Sequence, residues 1–182
     1  MSHSLSVQVF VAGTWKAEKA EAYKGQAVEL GLRLARAGID LACGPGTGIA
    51  RHVIDGYRAQ PERGRVLYYL PTAAAMAAAG EVVEDGADEI EQTELDYPMR
   101  NVYQVSKCQG LFVLTGGDGT LEEILPAIID YGHTIAIVEG AGSAAQAIKA
   151  LLHIYPEWAD RVLLGRDVAS LIDPFIARLI EP

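Results

Sequence analysis

Short apolar runs alternate along this chain with runs whose apolar residues recur at helical spacing. The apolar runs are 7–12, 39–43, 65–70, 110–114 and 134–138, with a weaker one at 162–164. The first helical run has apolar residues four, three and four positions apart, at Tyr23, Ala27, Leu30 and Leu34. Strands that alternate with helices form a parallel sheet, because a parallel connection needs a crossover long enough to hold a helix. The sequence therefore predicts an α/β fold: a doubly wound, mostly parallel sheet with helices on both faces, of the modified Rossmann type.

The alanine-rich stretch 73–79 is predicted to be helical, and the acidic stretch 81–94 is predicted to be a loop.

Length and charge limit the class of protein. The 182 residues predict a single domain spanning 1–182. A net charge of −9 (15 basic minus 24 acidic residues) disfavours nucleic acid or an anionic membrane as the partner. Two cysteines form no disulfide framework, residues 1–4 do not begin a signal peptide, and no apolar run approaches about 18 residues. We therefore expect a cytoplasmic protein without a membrane span.

Three of the predicted strands end in turns of small residues. Ligands in doubly wound folds bind at the carboxyl ends of the strands, which lie along one edge of the sheet. We therefore expect one pocket to be lined by the turn at 115–120 and by Gly13, Gly44, Gly46 and Thr47. The turn at 115–120 enters a helix, so its backbone N–H groups lie at the positive end of the helix dipole and suit an anion such as phosphate.

The turn at 44–48, Gly-Pro-Gly-Thr-Gly, is a weak indication of dinucleotide binding. A dinucleotide site would have an acidic residue at the end of the next strand, but Leu70-Pro71 occupies that position. A loop for a mononucleotide or a sugar phosphate fits better. The histidines have no metal-ligand spacing, and no metal is predicted; they are His3, His52, His133 and His153.

Glu123 is the first candidate for chemistry. In the first turn of a helix the dipole favours an ionised carboxylate, which suits a base or a cation stabiliser. The segment Thr120-Leu121-Glu122-Glu123 also fits a capping box, in which Glu123 would bind the cap residue's N–H and have no other function. The glycines ahead of it favour a functional role, because a cap does not require three of them.

Arg100 is the second candidate. Its predicted helix begins at Pro98, with Asp96 or Tyr97 as the cap. A cation in the first turn meets the unfavourable end of the dipole, at a cost of about 0.3–1 kcal/mol. An isolated arginine there would be a solvated surface side chain. Since this helix lies just ahead of the motif strand, we expect it to end beside the same pocket.

Together these residues resemble the LONELY GUY family, long mislabelled as lysine decarboxylases, within the wider group of Rossmann-like nucleotide-binding proteins. The family signature is P-G-G-x-G-T-x-x-E, preceded by a helix carrying M-x-x-R-K. This chain reads T-G-G-D-G-T-L-E-E at 115–123, and Arg100 lies 23 residues before Glu123, as in the family. Thr115 replaces the motif proline, and Asn101 replaces the lysine after the arginine. The resemblance extends over residues 7–137.

The resemblance implies an enzyme that hydrolyses the N-glycosidic bond of a nucleoside 5′-monophosphate, releasing the base and ribose 5-phosphate. Glu123 would stabilise the oxocarbenium-like sugar and position or activate water. Arg100 would bind the nucleotide and orient the reacting centre. The residues implied to hold the phosphate are Gly116, Gly117, Gly119 and Thr120. Neither a metal nor an organic cofactor is implied.

Two other classes of function are compatible with parts of the pattern. A protein that binds or senses a nucleotide without cleaving it would keep the glycine turns, with Glu123 only as a cap. A DNA-processing relative of the same superfamily should carry a basic face, which the charge of −9 disfavours. The old decarboxylase label is the only indication of pyridoxal phosphate.

We expect a homodimer or a larger assembly of dimers, as the resemblance implies. Four apolar residues cover more of the motif helix than one buried stripe needs, unless both faces are covered within one subunit; they are Ile124, Leu125, Ile128 and Ile129. Light scattering at micromolar concentration should give at least twice the monomer mass of 19.5 kDa. A monomer mass would reject this expectation.

Overall fold

One seven-stranded sheet forms the centre of the computed structural model, which describes residues 7–180. The strands are β1 Gln8–Ala12, β2 Asp40–Cys43, β3 Val66–Leu70, β4 Glu89–Gln92, β5 Gly110–Val113, β6 Thr134–Val138 and β7 Val162–Gly165. Their order across the sheet is β4-β3-β2-β1-β5-β6-β7, and every pair of neighbours is parallel. The expectations for residues 1–4 and His3 concern positions outside the described residues.

Eight α-helices and two short 3₁₀ segments connect the described strands. The helices are α1 Ala17–Ala20, α2 Lys24–Arg36, α3 Ile49–Arg58, α4 Ala73–Ala79, α5 Tyr97–Ser106, α6 Asp118–Ile129, α7 Ser143–Ile154 and α8 Val168–Ile180. The 3₁₀ segments are Glu21–Tyr23 and Pro156–Asp160. Helices α2, α3 and α8 pack together, and α5, α6 and α7 form a second group. The predicted α/β fold, a parallel sheet covered by helices, is confirmed. No helix within 7–180 has the length and apolarity needed to cross a bilayer.

The prediction of a loop throughout 81–94 is wrong, because β4 lies within it. All four residues of β4 are exposed, so this edge strand has none of the apolar alternation by which a strand is recognised in a sequence. Its pairing with β3 comes from backbone hydrogen bonds and from ion pairs at its start. Arg65 contacts Glu89 at 2.9 Å, and Arg63 donates two hydrogen bonds to Asp88.

The start of α5 follows from local sequence. The carboxylate of Asp96 accepts a hydrogen bond from the N–H of Met99 at 3.2 Å, and Pro98 stands in the first turn. Aspartate satisfies a helix-start donor, and proline lacks an N–H where none is needed. The predicted cap is confirmed.

The apolar residues of α6 do not all cover a second face. Ile124 and Ile128 are buried within the subunit, and Leu125 is partly buried. Ile129 is 60% exposed, beside a groove that Tyr155 also lines. The expectation of a surplus apolar face formed by all four residues is therefore wrong. Only Leu125 and Ile129 are left to form an apolar surface outside the core of the subunit. The homodimer remains a prediction.

Helices α2 and α3 cross with their backbones in contact. A Cβ at Gly31 would lie 1.9 Å from the carbonyl oxygen of Val53, and a Cβ at Gly56 would lie 2.1 Å from that of Val28. Because no real contact is that short, glycine is required at both positions. At the start of α3, the N–H of Ile49 donates a hydrogen bond at 3.0 Å to the carbonyl of Thr14, in the loop that follows β1.

Gly31→Ala should lower the free energy of unfolding by about 2–3 kcal/mol or more, because the two helices must separate to admit the methyl group. Gly25→Ala is the matched control in the same helix, since a Cβ there meets nothing within 4 Å. It should raise stability by about 0.5–1 kcal/mol. Urea denaturation measures both, and equal effects would contradict the crossing.

Candidate functional site

A cavity of about 860 Å³ lies at the carboxyl edge of the sheet. Its floor is where β1 and β5 lie side by side, and the winding of the sheet reverses between these two strands. Ligands of doubly wound folds bind at this reversal, since the connections leave on opposite faces and open a crevice. The predicted site residues all line the cavity: Gly13, Gly44, Gly46, Thr47, Arg100, Gly116, Gly117, Gly119, Thr120 and Glu123. Their ligand-binding roles remain predictions.

Three helices begin at or beside this cavity with a glycine as the N-terminal cap. The caps are Gly48 of α3, Gly117 of α6 and Gly142 of α7. Because glycine has no side chain, it leaves the first N–H groups of each helix without a side-chain cap. The positive ends of three helix dipoles are therefore directed toward one space, which suits an anionic ligand. The third of these starts was not predicted to lie at the pocket, because the turn at 140–142 contains no phosphate-loop pattern.

The start of α7 packs directly on the motif turn. A Cβ at Gly142 would lie 2.2 Å from the carbonyl oxygen of Gly116, and the N–H of Ala144 donates to that oxygen at 3.3 Å. Gly142 also has φ +116°, a conformation that favours glycine. The two helix starts are thus held next to each other by backbone contact.

The capping-box interpretation of 120–123 is wrong. Helix α6 begins at Asp118, so Thr120 is the third helical residue and its side chain caps nothing. The hydroxyl of Thr120 instead lies under the turn, 2.1 Å from the position of a Cβ on Gly116. Thr120 and the glycine therefore fit each other, and Glu123 is free to make another contact.

Arg100 is buried, which excludes the interpretation as a solvated surface side chain. Arg100 is 5% exposed and lines the cavity. The prediction that its helix ends beside the cavity is wrong, because α5 begins beside it. One guanidinium nitrogen, Nη1, donates to Oε1 of Gln104 at 2.6 Å, and the guanidinium carbon lies 5.2 Å from the centre of the Tyr97 ring. Its Nε has no hydrogen-bond partner among residues 7–180. Burial lowers the pKa of Arg100, while Glu123 and Glu81 act to raise it.

Glu123 is buried beside this arginine without contacting it as an ion pair among the described residues. Its Oε1 accepts a hydrogen bond from Nε2 of Gln104 at 2.9 Å. Burial raises the pKa of Glu123 to about 8, although Arg100 acts to lower it. Burial outweighs the charge of Arg100 and the helix start, which is the opposite of the sequence-based expectation that the local environment favours the ionised carboxylate. A carboxyl group with such a pKa exchanges its proton near neutral pH.

The rim of the cavity carries charges of both signs and two aromatic rings. Trp15 is half exposed, with Nζ of Lys16 lying 5.7 Å from the centre of its ring. Tyr97 donates a hydrogen bond from its hydroxyl to the carboxylate of Glu81. Asp118 is exposed at the start of α6. Of these rim residues, only Asp118 belongs to the turn that the sequence placed in the pocket; no local pattern distinguishes the others from ordinary surface side chains.

The arrangement suits a small ligand that combines an anionic group with a planar group. The helix starts and Arg100 offer donors and positive charge to the anion, and Trp15 and Tyr97 offer faces on which a ring can stack. Within residues 7–180, no group of three or more histidine, cysteine, aspartate or glutamate side chains is placed to hold a metal ion.

The fold and this site define a Rossmann-like protein of the LONELY GUY type, as the sequence motif predicted. The model of the SLOG cluster4 family matches residues 6–157, and the chain belongs to that family. No curated protein matches the chain.

Solved structures show the same fold. The molybdenum cofactor carrier protein of Chlamydomonas reinhardtii is 21% identical, with a TM-score of 0.78 over 97% of this chain and 99% of that one. The molybdenum cofactor binding protein of Rippkaea orientalis is 18% identical, with a TM-score of 0.67 over 92% and 93%. DNA processing protein A of Streptococcus pneumoniae is 15% identical, with a TM-score of 0.53 over 90% and 60%. Identities this low establish the fold alone.

Glu123→Gln should remove a pH dependence of stability. The folded protein holds the proton of Glu123 up to about pH 8, whereas an unfolded glutamate releases it near 4.5. The folded state thus binds more protons than the unfolded state between these two pH values. The contribution of Glu123 to the free energy of unfolding is therefore full below pH 4.5 and falls as the pH rises to about 8. The total loss is on the order of a few kcal/mol. Glutamine does not titrate. Urea denaturation should therefore show the variant gaining stability relative to wild type between about pH 5 and pH 9. A constant difference over that range would contradict the raised pKa.

Proposed function

We propose that the protein hydrolyses the N-glycosidic bond of a nucleoside 5′-monophosphate, releasing the free base and ribose 5-phosphate. The observation that carries this proposal is the buried series of contacts Arg100–Gln104–Glu123, which borders a cavity onto which glycine-capped helices open. Burying a cation and a carboxyl group costs stability, and such groups are concentrated at functional sites. Membership of the SLOG cluster4 family supports a nucleotide-type ligand.

The 5′-phosphate fits the motif turn. Backbone N–H groups at 117–120 and at the start of α7 lie side by side, and the hydroxyl of Thr120 lies beneath them. Lys16 and Lys19 line the same cavity and add positive charge. The volume of about 860 Å³ lies within the range of about 300–1,000 Å³ typical of small-molecule sites.

The sugar would then lie in the cavity against Glu123 and Arg100. Breaking a glycosidic bond develops positive charge on the sugar, and an ionised carboxylate nearby stabilises it. A water molecule adds to the anomeric carbon, and the electron pair of the broken bond leaves with the base, which takes up a proton. A carboxyl group of pKa about 8 can exchange protons with both water and base near neutral pH. Arg100 would hold the nucleotide through the N–H groups that face the cavity.

A second candidate function is binding of a phosphate-bearing ligand without turnover. It is favoured by the likeness to the molybdenum cofactor carrier protein, which covers nearly all of both chains. The same helix starts and Arg100 would then hold the ligand, with Glu123 donating or accepting a hydrogen bond. The two functions differ in one observable: a carrier or sensor binds its ligand and returns it intact.

The remaining expectations concern assembly and location. We propose a homodimer in which Ile129 and the groove lined by Tyr155 and Trp158 are covered by the second subunit. We also propose a cytoplasmic location. The partner proposed is a small molecule rather than nucleic acid, because a net charge of −9 disfavours binding to a polyanion.

Glu123→Gln should lower the rate of base release by about 100-fold or more, because the amide can neither ionise nor transfer a proton. Wild type is first incubated with a panel of nucleoside 5′-monophosphates and the matching nucleosides, and released base is measured by chromatography. Glu62→Gln is the control: this glutamate is exposed and does not line the cavity, so its change should alter the rate less than tenfold. Ligand binding by wild type without release of any base would favour the carrier function. A fully active Glu123→Gln variant would exclude Glu123 from catalysis.

A further inference from the structure

Gln104 occupies the centre of the buried polar network and was not among the residues that the motif singles out. It lies in α5 one turn after Arg100 and is fully buried. Its side-chain oxygen accepts from Nη1 of Arg100 at 2.6 Å, and its side-chain nitrogen donates to Oε1 of Glu123 at 2.9 Å. One amide therefore separates the cation from the carboxyl group.

The direction of this amide is fixed by chemistry. A guanidinium group has five N–H donors and no acceptor, so the group facing Arg100 must be the amide oxygen. The amide nitrogen then faces Glu123 and donates to it. The two ends of an amide are otherwise hard to tell apart, but here the reversed orientation would oppose donor to donor at Arg100.

It follows that Oε1 of Glu123 is always an acceptor. The carbonyl oxygen of a protonated carboxyl group is its stronger acceptor, so this hydrogen bond favours Oε1 as the carbonyl oxygen and Oε2 as the site of the proton. No hydrogen bond to Oε2 is made within residues 7–180, and Glu123 lines the cavity. Oε2 is thus the oxygen available to a ligand.

Burial and the groups around Glu123 act on its pKa in opposite directions. Arg100 on α5 favours ionisation, but across the intervening amide; Glu122 on α6 opposes it, and burial opposes it most. Arg100 is itself faced by Glu81, Tyr97 and Cys43. A direct ion pair with Arg100 would instead hold the carboxylate ionised.

We propose that Gln104 is a positioning residue that directs the exchangeable proton of Glu123 to Oε2, where a ligand in the cavity receives it. The catalytic consequence rests on the proposed function. There the bond between the anomeric carbon and the base nitrogen breaks, its electron pair leaves with the base, and the proton moves from Oε2 to the base. Glu123 is then the carboxylate that stabilises the cationic sugar. Water adds to that carbon, and its released proton restores Glu123.

Infrared spectroscopy tests the proton's position without any substrate. Glu123→Gln, subtracted from wild type, identifies the carbonyl-stretch band of protonated Glu123 at a pH below about 8. Gln104→Met, similar in length but unable to donate, should move this band to higher wavenumber, because the carbonyl oxygen Oε1 loses its hydrogen bond. Each variant is recorded at a pH at which it carries the band. An unmoved band would overturn the proposal.

Gln104→Glu is a second variant that keeps the size and the contact with Arg100. It places a second carboxyl group against Oε1, and two carboxyl groups in contact retain one proton. The pH midpoint of the band should therefore rise by about one unit or more. An unchanged midpoint would equally overturn the proposal.

Kinetics separate this proposal from the proposed hydrolysis. In an active enzyme, Gln104→Met should lower kcat by about tenfold or more and shift the pH profile, with a smaller change in KM. A shifted infrared band without base release by wild type would retain the role of Gln104 and reject hydrolysis. Base release with an unmoved band would do the reverse.

Discussion

The reversal of winding between β1 and β5 is the constraint on which the rest of the structure depends. From β1 the chain adds strands outward to β4, and it then returns to the other side of β1 at β5. Connections that leave in opposite directions cannot cover the ends of both strands, so a crevice remains between them. Every residue proposed for function lies around that crevice. The close crossing of α2 and α3, through Gly31 and Gly56, holds one wall of it in place.

The site combines two electrostatic environments. At the motif turn, glycine-capped helix starts present backbone donors without side chains between them and the ligand. In the second environment, a buried amide connects a cation to a carboxyl group. Backbone donors bind an anion with little reorganisation, whereas buried titratable groups respond to a ligand by changing their protonation. Under the proposed function, binding and chemistry would fall to different parts of one cavity.

One fold serves several functions among the proteins that share it. Structures that share it include proteins described as molybdenum cofactor carriers and a DNA processing protein. Fold alone does not distinguish among such functions, because the activity depends on the side chains at the site. In this chain the side chains that bear on the choice are Arg100, Gln104 and Glu123, together with a net charge that disfavours nucleic acid.

Sequence alone determined the alternation of strands and helices, the cap at Asp96 and the three small-residue turns that share a cavity. These follow from local periodicity and from turn chemistry, which act over a few residues. Only the tertiary structure decided three features: the edge strand β4, the position of the α7 start at the cavity, and the contacts of Gln104. An exposed strand has no apolar pattern, and Gln104 meets Glu123 across 19 positions of chain because α5 packs on α6. The protonation of Glu123 reversed the local expectation for the same reason: a helix start favours charge, but burial, which exists only after folding, opposes it more strongly.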